Sequence, residues 1–193
     1  MKILCLYNNV CAVELFEWLQ SQGHETVCFS EKLDEKWCRE QKFDLTVSYT
    51  YRYILGRDIL EALHNNAVNI HNAYLPWNRG ADPNIWSIID DTPRGVTLHY
   101  MDTSLDKGYI IAQKMVKKKE GETLRSSYDE LDKAAKEMFR EVFPCYKYWQ
   151  EMKKVPLGVG SYHSLKDGQQ IKSVIDSYDL TTDEFKERIK CIR

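Results

Sequence analysis

Apolar positions along this chain follow two patterns. Short runs at residues 2–7, 26–29, 44–48 and 95–101 have the length and composition of strands, and Tyr109-Ile110-Ile111 begins another. Residues 10–22 read instead as a helix that Asn9 can cap and Gly23 can stop. Further on, Leu124, Tyr128, Leu131, Ala135, Met138 and Val142 recur at spacings of three and four, which predicts one long helix packed on a sheet. Pro144 should end or bend that helix, and Tyr146, Tyr148 and Trp149 then cluster before Pro156. Beyond it come a glycine-rich stretch at residues 158–162, a turn near Asp167-Gly168 and a short terminal helix capped around Thr182. Trp86, on a helix after Pro83, reads as core. Strands alternating with helices imply parallel pairing and an α/β layer architecture, with ligands expected beyond the carboxyl ends of the strands. The expected organisation is one catalytic domain over residues 1–150 with a short C-terminal extension, 151–193, packed on it.

Composition narrows the function classes. The chain has 193 residues, 43% of them hydrophobic, enough for a single core, and a formal net charge of -2 with both signs interspersed. That balance argues against a nucleic-acid partner, and Lys117-Lys118-Lys119 reads as a solvated strand end. No apolar stretch approaches the roughly 18 to 20 residues that cross a bilayer. Met1-Lys2 leads straight into a strand, so the expectation is a soluble, cytoplasmic protein with no membrane partner. The six cysteines lack C-x-x-C pairing, and several sit in apolar runs as buried reduced thiols do; neither a metal nor a disulfide framework is indicated.

The candidate chemistry centres on residues 68–74. Residues i and i+2 of a strand share a face, so Asn69 and His71 would look into one space while Ile70 packs the other way. Asp106, in the loop after the strand at 95–101, could reach His71 across the strand ends. An amide, an imidazole and a carboxylate so placed can together handle one tetrahedral intermediate. A single histidine on a strand is more often structural, and the elements around His71 are what raise it above that reading. His99 reads as structural or as a sheet-face residue, His24 and His64 as surface positions, and His163 as one that could approach the site from the tail. The turn after the first strand, Asn8-Asn9-Val10-Cys11, carries neither G-x-G-x-x-G nor G-x-x-x-x-G-K, which removes the main support for a dehydrogenase or a nucleoside-triphosphate enzyme.

In order, Asn69-Ile70-His71, Leu75-Pro76, Gly80, Gly95-Val96-Thr97, Asp106 and Gly108 resemble the folate-dependent formyltransferases, which move a formyl group from 10-formyltetrahydrofolate to an amine. The similarity runs from about Phe43 to Lys114. It implies a Rossmann-like formyltransferase fold, with a mostly parallel central sheet flanked by helices plus a short C-terminal tail. It also implies that Asn69 donates to the developing oxyanion, that His71 accepts or relays the proton, and that Asp106 orients His71. Residues of the folate pocket would be Tyr51, Arg52, Tyr53, Ile54 and Leu55, with Leu105 and Gly108 from the second loop. Many relatives have glycine where this chain has Arg52, and often threonine where it has Lys107.

The loop at residues 74–83 looks most like that of enzymes that formylate nucleotide-linked amino sugars, such as a dTDP-4-amino-4,6-dideoxyhexose. In that reading Tyr74, Trp77, Asn78 and Arg79 contact the acceptor, and the product serves lipopolysaccharide O-antigen biosynthesis. Other members of the family give the alternatives. Enzymes acting on glycinamide ribonucleotide use a glycine-rich turn absent here. Formylation of an aminoacyl group on tRNA or on a carrier protein is another; the tRNA enzymes append a basic domain, and formyl-folate hydrolases usually carry an extra domain in front. A non-catalytic folate binder would not need Asn69, His71 and Asp106 together. Sugar formyltransferases commonly dimerise through C-terminal elements, which leaves a homodimer open.

Overall fold

The computed structural model describes residues 1–191; the last two positions of the expected extension lie outside the described residues. In chain order the elements are β1 (Lys2–Leu6), α1 (Val13–Ser21), β2 (Glu25–Phe29), α2 (Glu35–Gln41), β3 (Leu45–Tyr49), α3 (Arg57–Ala62) and β4 (Ala67–His71). Then come β5 (Arg79–Gly80), α4 (Pro83–Ile89), β6 (Gly95–Tyr100), β7 (Ile110–Met115) and α5 (Leu124–Val142). Last are α6 (Trp149–Met152), β8 (Tyr162–His163), α7 (Gly168–Lys172) and α8 (Thr182–Lys190). Six strands form one sheet in the order β2-β1-β3-β4-β6-β7, and β2, β1, β3 and β4 pair in parallel. This is the mostly parallel, helix-flanked sheet expected of a Rossmann-like formyltransferase fold.

The chain forms two compact units, each drawn from separate stretches. The first comprises residues 1–71, 98–112 and 144–155. Its strands β1 and β3 are almost wholly buried, as the unbroken apolar runs require of parallel strands covered on both faces. Leu4, Leu6, Cys38, Phe43, Leu55 and Leu60 form its core, with Phe29 stacked on Trp37. The helix expected at residues 10–22 is in two parts: the Asn9 side chain caps a single 3-10 turn over Val10–Ala12, and α1 follows. At seven and six residues, α2 and α3 are too short to show a helical period in the sequence. Several cysteines are expected from the sequence to be buried: Cys5 and Cys38 are, Cys11 is half-buried, and Cys28, Cys145 and Cys191 are exposed.

The second unit comprises residues 72–97, 113–143 and the chain from Pro156 onward. Here Trp86 is core, as expected, packed with Leu124, Ile171, Phe185 and Ile189. The extension therefore supplies half of this cluster. Thr181, not Thr182, caps α8, in a reciprocal capping box with Glu184. A buried ion pair lies beneath: Arg94 Nη1 and Nη2 stand 2.6 and 3.0 Å from the two carboxylate oxygens of Glu122, while Ser127 and the Lys117 carbonyl accept further bonds. Residues 159–163 are also laced onto the loop at 76–81. Arg79 pairs with Tyr162 and Gly80 with His163 in a two-stranded parallel ladder. Ser161 receives a bond from the Asn78 amide at its hydroxyl and one from the Arg79 amide at its carbonyl.

Two outcomes follow for stability. Glu122→Ala leaves a guanidinium buried without its partner and should lower unfolding free energy by about 3–5 kcal/mol, read from urea denaturation. Gly160 has φ +62, and a Cβ there would fall 1.9 Å from the Pro76 carbonyl oxygen. Gly160→Ala should therefore destabilise by about 1–3 kcal/mol and release the extension to limited proteolysis before the rest of the chain.

Candidate active site

β4 sets the first two groups. Parallel pairing with β3 puts Asn69 opposite Ser48, and the two-residue period turns Asn69 and His71 to one side while Ile70 is buried on the other. The Met101 amide donates to the Ala67 carbonyl at 2.8 Å, which ties the end of β6 to β4 and brings His99 beside Asn69. The loop between β6 and β7 returns Asp106 to the same place. Asp106 has φ 53, a left-handed conformation that aspartate tolerates better than most residues. Two positions on, a Cβ on Gly108 would lie 1.7 Å from the Tyr100 carbonyl oxygen, so only glycine lets this loop close against β6.

The result is a carboxylate facing two imidazoles. Asp106 Oδ2 is 3.7 Å from His71 Nε2, and Oδ1 is 3.6 Å from His99 Nε2. Both separations are in ion-pair range and longer than hydrogen bonds, a spacing that catalytic groups often tighten when substrate binds. Side chains are withdrawn from solvent here, with Asp106 8% exposed and His99 2%. The rings of His71 and His99 stand edge to face with centroids 6.4 Å apart. The Asn69 Nδ2 is 3.4 Å from His99 Nε2. Asn69, His71 and Asp106 are thus brought together, and His99, read from the sequence as structural, joins them. Its signal was a titratable ring inside a fully buried strand. Among the described residues no group of three His, Cys, Asp or Glu side chains is disposed to hold a metal ion.

The order of β2, β1 and β3 reverses between β1 and β3, so the crevice beyond their carboxyl ends is a topological switch point. Asn8 and Thr50 organise it. The Asn8 and Asn9 amides face the Thr50 hydroxyl at 3.4 and 3.1 Å, and Asn8 receives the Arg52 amide on Oδ1 at 2.9 Å and donates Nδ2 to the Ser30 carbonyl. The left-handed residue of this turn is Thr50, at φ 64, and Arg52 does not share that conformation. The Arg52 guanidinium lies 4.8 Å from the Tyr53 ring centroid and donates to its hydroxyl. Tyr51 donates its hydroxyl to the Glu31 carbonyl, and burial pushes that hydroxyl up to about 12, so it remains a donor at neutral pH. Ile54 is 69% exposed and Leu105 also open, whereas Leu55 belongs to the core. Leu55, expected to pack on a folate ring, is 3% exposed and shares a core cluster with Leu60.

In the second unit, the expected acceptor residues divide. Trp77 is 37% exposed and Tyr74 half-buried. Asn78 is wholly buried, its Nδ2 donating to Thr92 and its Oδ1 accepting from Ser161. The expectation that its side chain offers donors to a sugar is corrected, since both ends of the amide hold the loop. Arg79 donates Nε to the Ser161 carbonyl and Nη2 to the Val159 carbonyl. His163, expected as a residue that could approach the site from the tail, stacks on Trp86 with centroids 3.8 Å apart and lies 3.1 Å from Asp90.

A family model described as formyl transferase matches residues 16–143, a span that includes Asn69, His71, His99 and Asp106. Methionyl-tRNA formyltransferase of Myxococcus xanthus is 37% identical over 139 residues, 72% of this chain and 43% of that protein. A dTDP-4-amino-4,6-dideoxyglucose formyltransferase of Mycobacterium bovis is 28% identical over 152 residues, 79% of this chain and 64% of that protein. The chain thus spans less than two thirds of the length of either. Among solved structures, the formyltransferase PseJ from Anoxybacillus kamchatkensis, in complex with UDP-4,6-dideoxy-4-formamido-L-AltNAc and tetrahydrofolate, is similar with a TM-score of 0.87 and 38% identity. That likeness covers 96% of this chain and 97% of PseJ. On this evidence the chain belongs to the formyl transferase family.

Proposed function

We propose that this protein is a folate-dependent N-formyltransferase that moves the formyl group of 10-formyltetrahydrofolate to the amine of a nucleotide-linked amino deoxysugar. The convergence of Asn69, His71 and Asp106 at the end of β4 carries the reading. The neutral amine attacks the formyl carbon, and the oxyanion that forms takes a hydrogen bond from the Asn69 Nδ2. His71 removes the proton from the attacking nitrogen, and the imidazolium so formed is stabilised by Asp106 across the 3.7 Å contact. The proton then passes to the departing folate nitrogen as the carbon–nitrogen bond breaks.

Folate would lie along Tyr51, Arg52, Tyr53 and Ile54, with Leu105 and Gly108 from the facing loop. The switch-point crevice and the exposed Ile54 and Leu105 support this placement. For the acceptor, Trp77 offers a flat apolar surface and Tyr74 a second ring. Arg79 carries a positive charge suited to a diphosphate, while Asn78 fixes the loop that presents them. Similarity to PseJ across nearly the whole chain, including the extension that grips this loop, favours a nucleotide-linked 4-amino-4,6-dideoxy sugar; UDP- and dTDP-linked forms are both represented among the relatives. Formylation of aminoacyl-tRNA is the second reading, favoured by the 37% identity to the Myxococcus xanthus enzyme.

Three outcomes test the proposal. Purified Asn69→Ala, His71→Ala and Asp106→Asn should fold normally yet lose about a hundredfold or more in formyl transfer, and near-normal turnover would remove the triad. Calorimetry should detect binding of a stable 5-formyl folate without any acceptor, weakened by Ile54→Arg; no affinity in the wild type would remove folate. Incubation with 10-formyltetrahydrofolate and separate amino-sugar nucleotides, aminoacyl-tRNA and glycinamide ribonucleotide should add one formyl mass to a sugar nucleotide. Formylation of the tRNA alone would overturn the acceptor assignment and keep the chemistry.

A further inference from the structure

Residues 73–75 follow β4 outside any helix or strand, yet Ala73 and Leu75 are buried, so their backbone groups need partners within the protein. Two side chains supply them. Thr97, buried on β6, donates its hydroxyl to the Ala73 carbonyl at 2.7 Å and accepts the Leu75 amide at 3.1 Å. Gln113, on the neighbouring β7, donates Nε2 to the Leu75 carbonyl at 2.8 Å and to the Thr97 hydroxyl oxygen at 3.0 Å. The sense of each bond is fixed, because a backbone carbonyl only accepts and a backbone amide only donates. The one Thr97 hydroxyl hydrogen goes to Ala73, and its two lone pairs take the Leu75 amide and Gln113. Both hydrogens of the Gln113 amide are used as well. Four bonds thus close on one another around the backbone of residues 73–75.

From this geometry we propose that Thr97 and Gln113 are positioning residues for the acceptor: they hold the stretch of backbone that presents the Tyr74 and Trp77 rings. The inference rests on the reading of Tyr74 and Trp77 as acceptor contacts and adds what fixes their places. Tyr74 stands between the two held residues, and its ring lies against Gly95, where an added Cβ would come 3.0 Å from Tyr74 Cδ2. The Trp77 amide donates to the Tyr74 carbonyl at 3.1 Å, so the turn that carries Trp77 starts from the held stretch. Residues 159–163 grip the loop from Pro76 onward; Thr97 and Gln113 grip it before Pro76. Neither side chain has to touch the sugar. A loop released from them would visit several arrangements and present its rings only part of the time, which lowers apparent affinity by that fraction. Binding lost in this way raises KM for the acceptor more than it lowers kcat. Residues 51–54, proposed for folate, belong to the other unit, so folate affinity should not follow.

Three variants separate positioning from folding. Thr97→Val keeps the side-chain shape and removes its bonds, Thr97→Ser keeps the hydroxyl, and Gln113→Glu exchanges a donating amide for a carboxylate that only accepts. Each is first checked for folding by circular dichroism, and a UDP-linked 4-amino-4,6-dideoxy sugar serves as acceptor. Thr97→Val and Gln113→Glu should raise acceptor KM by about tenfold or more with kcat within about threefold, and Thr97→Ser should hold KM near the wild type. Affinity for a stable 5-formyl folate, read by calorimetry, should stay within about twofold in all three. Unchanged acceptor KM in folded Thr97→Val and Gln113→Glu, a Thr97→Ser as impaired as Thr97→Val, or folate affinity lost in step with the acceptor would overturn the proposal. Should Thr97→Val fail to fold, Gln113→Glu decides, since Gln113 is only half-buried. A second readout needs no acceptor: hydrogen exchange at the Leu75 amide should quicken about tenfold or more in Thr97→Val and in Gln113→Glu and return in Thr97→Ser. Unchanged exchange would overturn the hold on the loop itself. If the wild type formylates no sugar nucleotide while exchange comes out as expected, the acceptor reading fails and the hold on residues 73–75 stands.

Discussion

A parallel sheet must hide both its faces, and the rest of this molecule follows from that constraint. Side chains along β1 and β3 are buried in either direction, so an unpaired polar group within them would lose its solvation without return. Hydrogen-bonding chemistry is therefore displaced to where the strands end. Asn8 and Asn9 follow β1, Thr50 follows β3, and His71 is the last residue of β4. The parallel direction brings these exits to one edge of the sheet, which makes it the place for polar contacts that a ligand can use.

Within that edge, Asp106 is the costly element. A carboxylate held 8% exposed in a left-handed backbone conformation is unfavourable on two counts, desolvation and strain, and persists only because its surroundings over-determine it. Two imidazoles face it, and Gly108 lets the loop close against the Tyr100 carbonyl. As a packing element Asp106 is ill suited, since an apolar residue would fill the same space at less expense.

The second unit solves a different problem. A β-ladder of two residues cannot by itself order the loop that carries Trp77 and Arg79. Residues from the chain's far end supply the missing order: Ser161 bonds both Asn78 and Arg79, Gly160 allows approach to the Pro76 carbonyl, and His163 pins the ladder by stacking on Trp86. The extension is in this sense part of the loop. Its α8 then anchors the arrangement through Phe185 and Ile189, which enter the same core as Trp86.

Much of this was legible in the order of residues. Period and run length placed β1, β3, β6 and α5, and the two-residue period alone put Asn69 and His71 on one side, because a strand's geometry fixes facing regardless of what surrounds it. The motif from Asn69 to Gly108 gave the family because several elements stand in one order at one spacing. Short helices such as α2 and α3 escaped because fewer than two turns carry no period. What only the tertiary structure decided were relations between segments distant in sequence. Asn78 looks like a free donor until Ser161, 83 residues later, takes both ends of its loop. Leu55 looks like a ligand contact until the core claims it. His99 looks like filler in an apolar strand until β6 lies beside β4 and its Nε2 comes 3.4 Å from the Asn69 Nδ2. Facing is a property of the backbone and can be read locally, but a side chain's hydrogen-bonding partner is set by whatever the fold brings within about 3 Å, and nothing in the sequence near it records that.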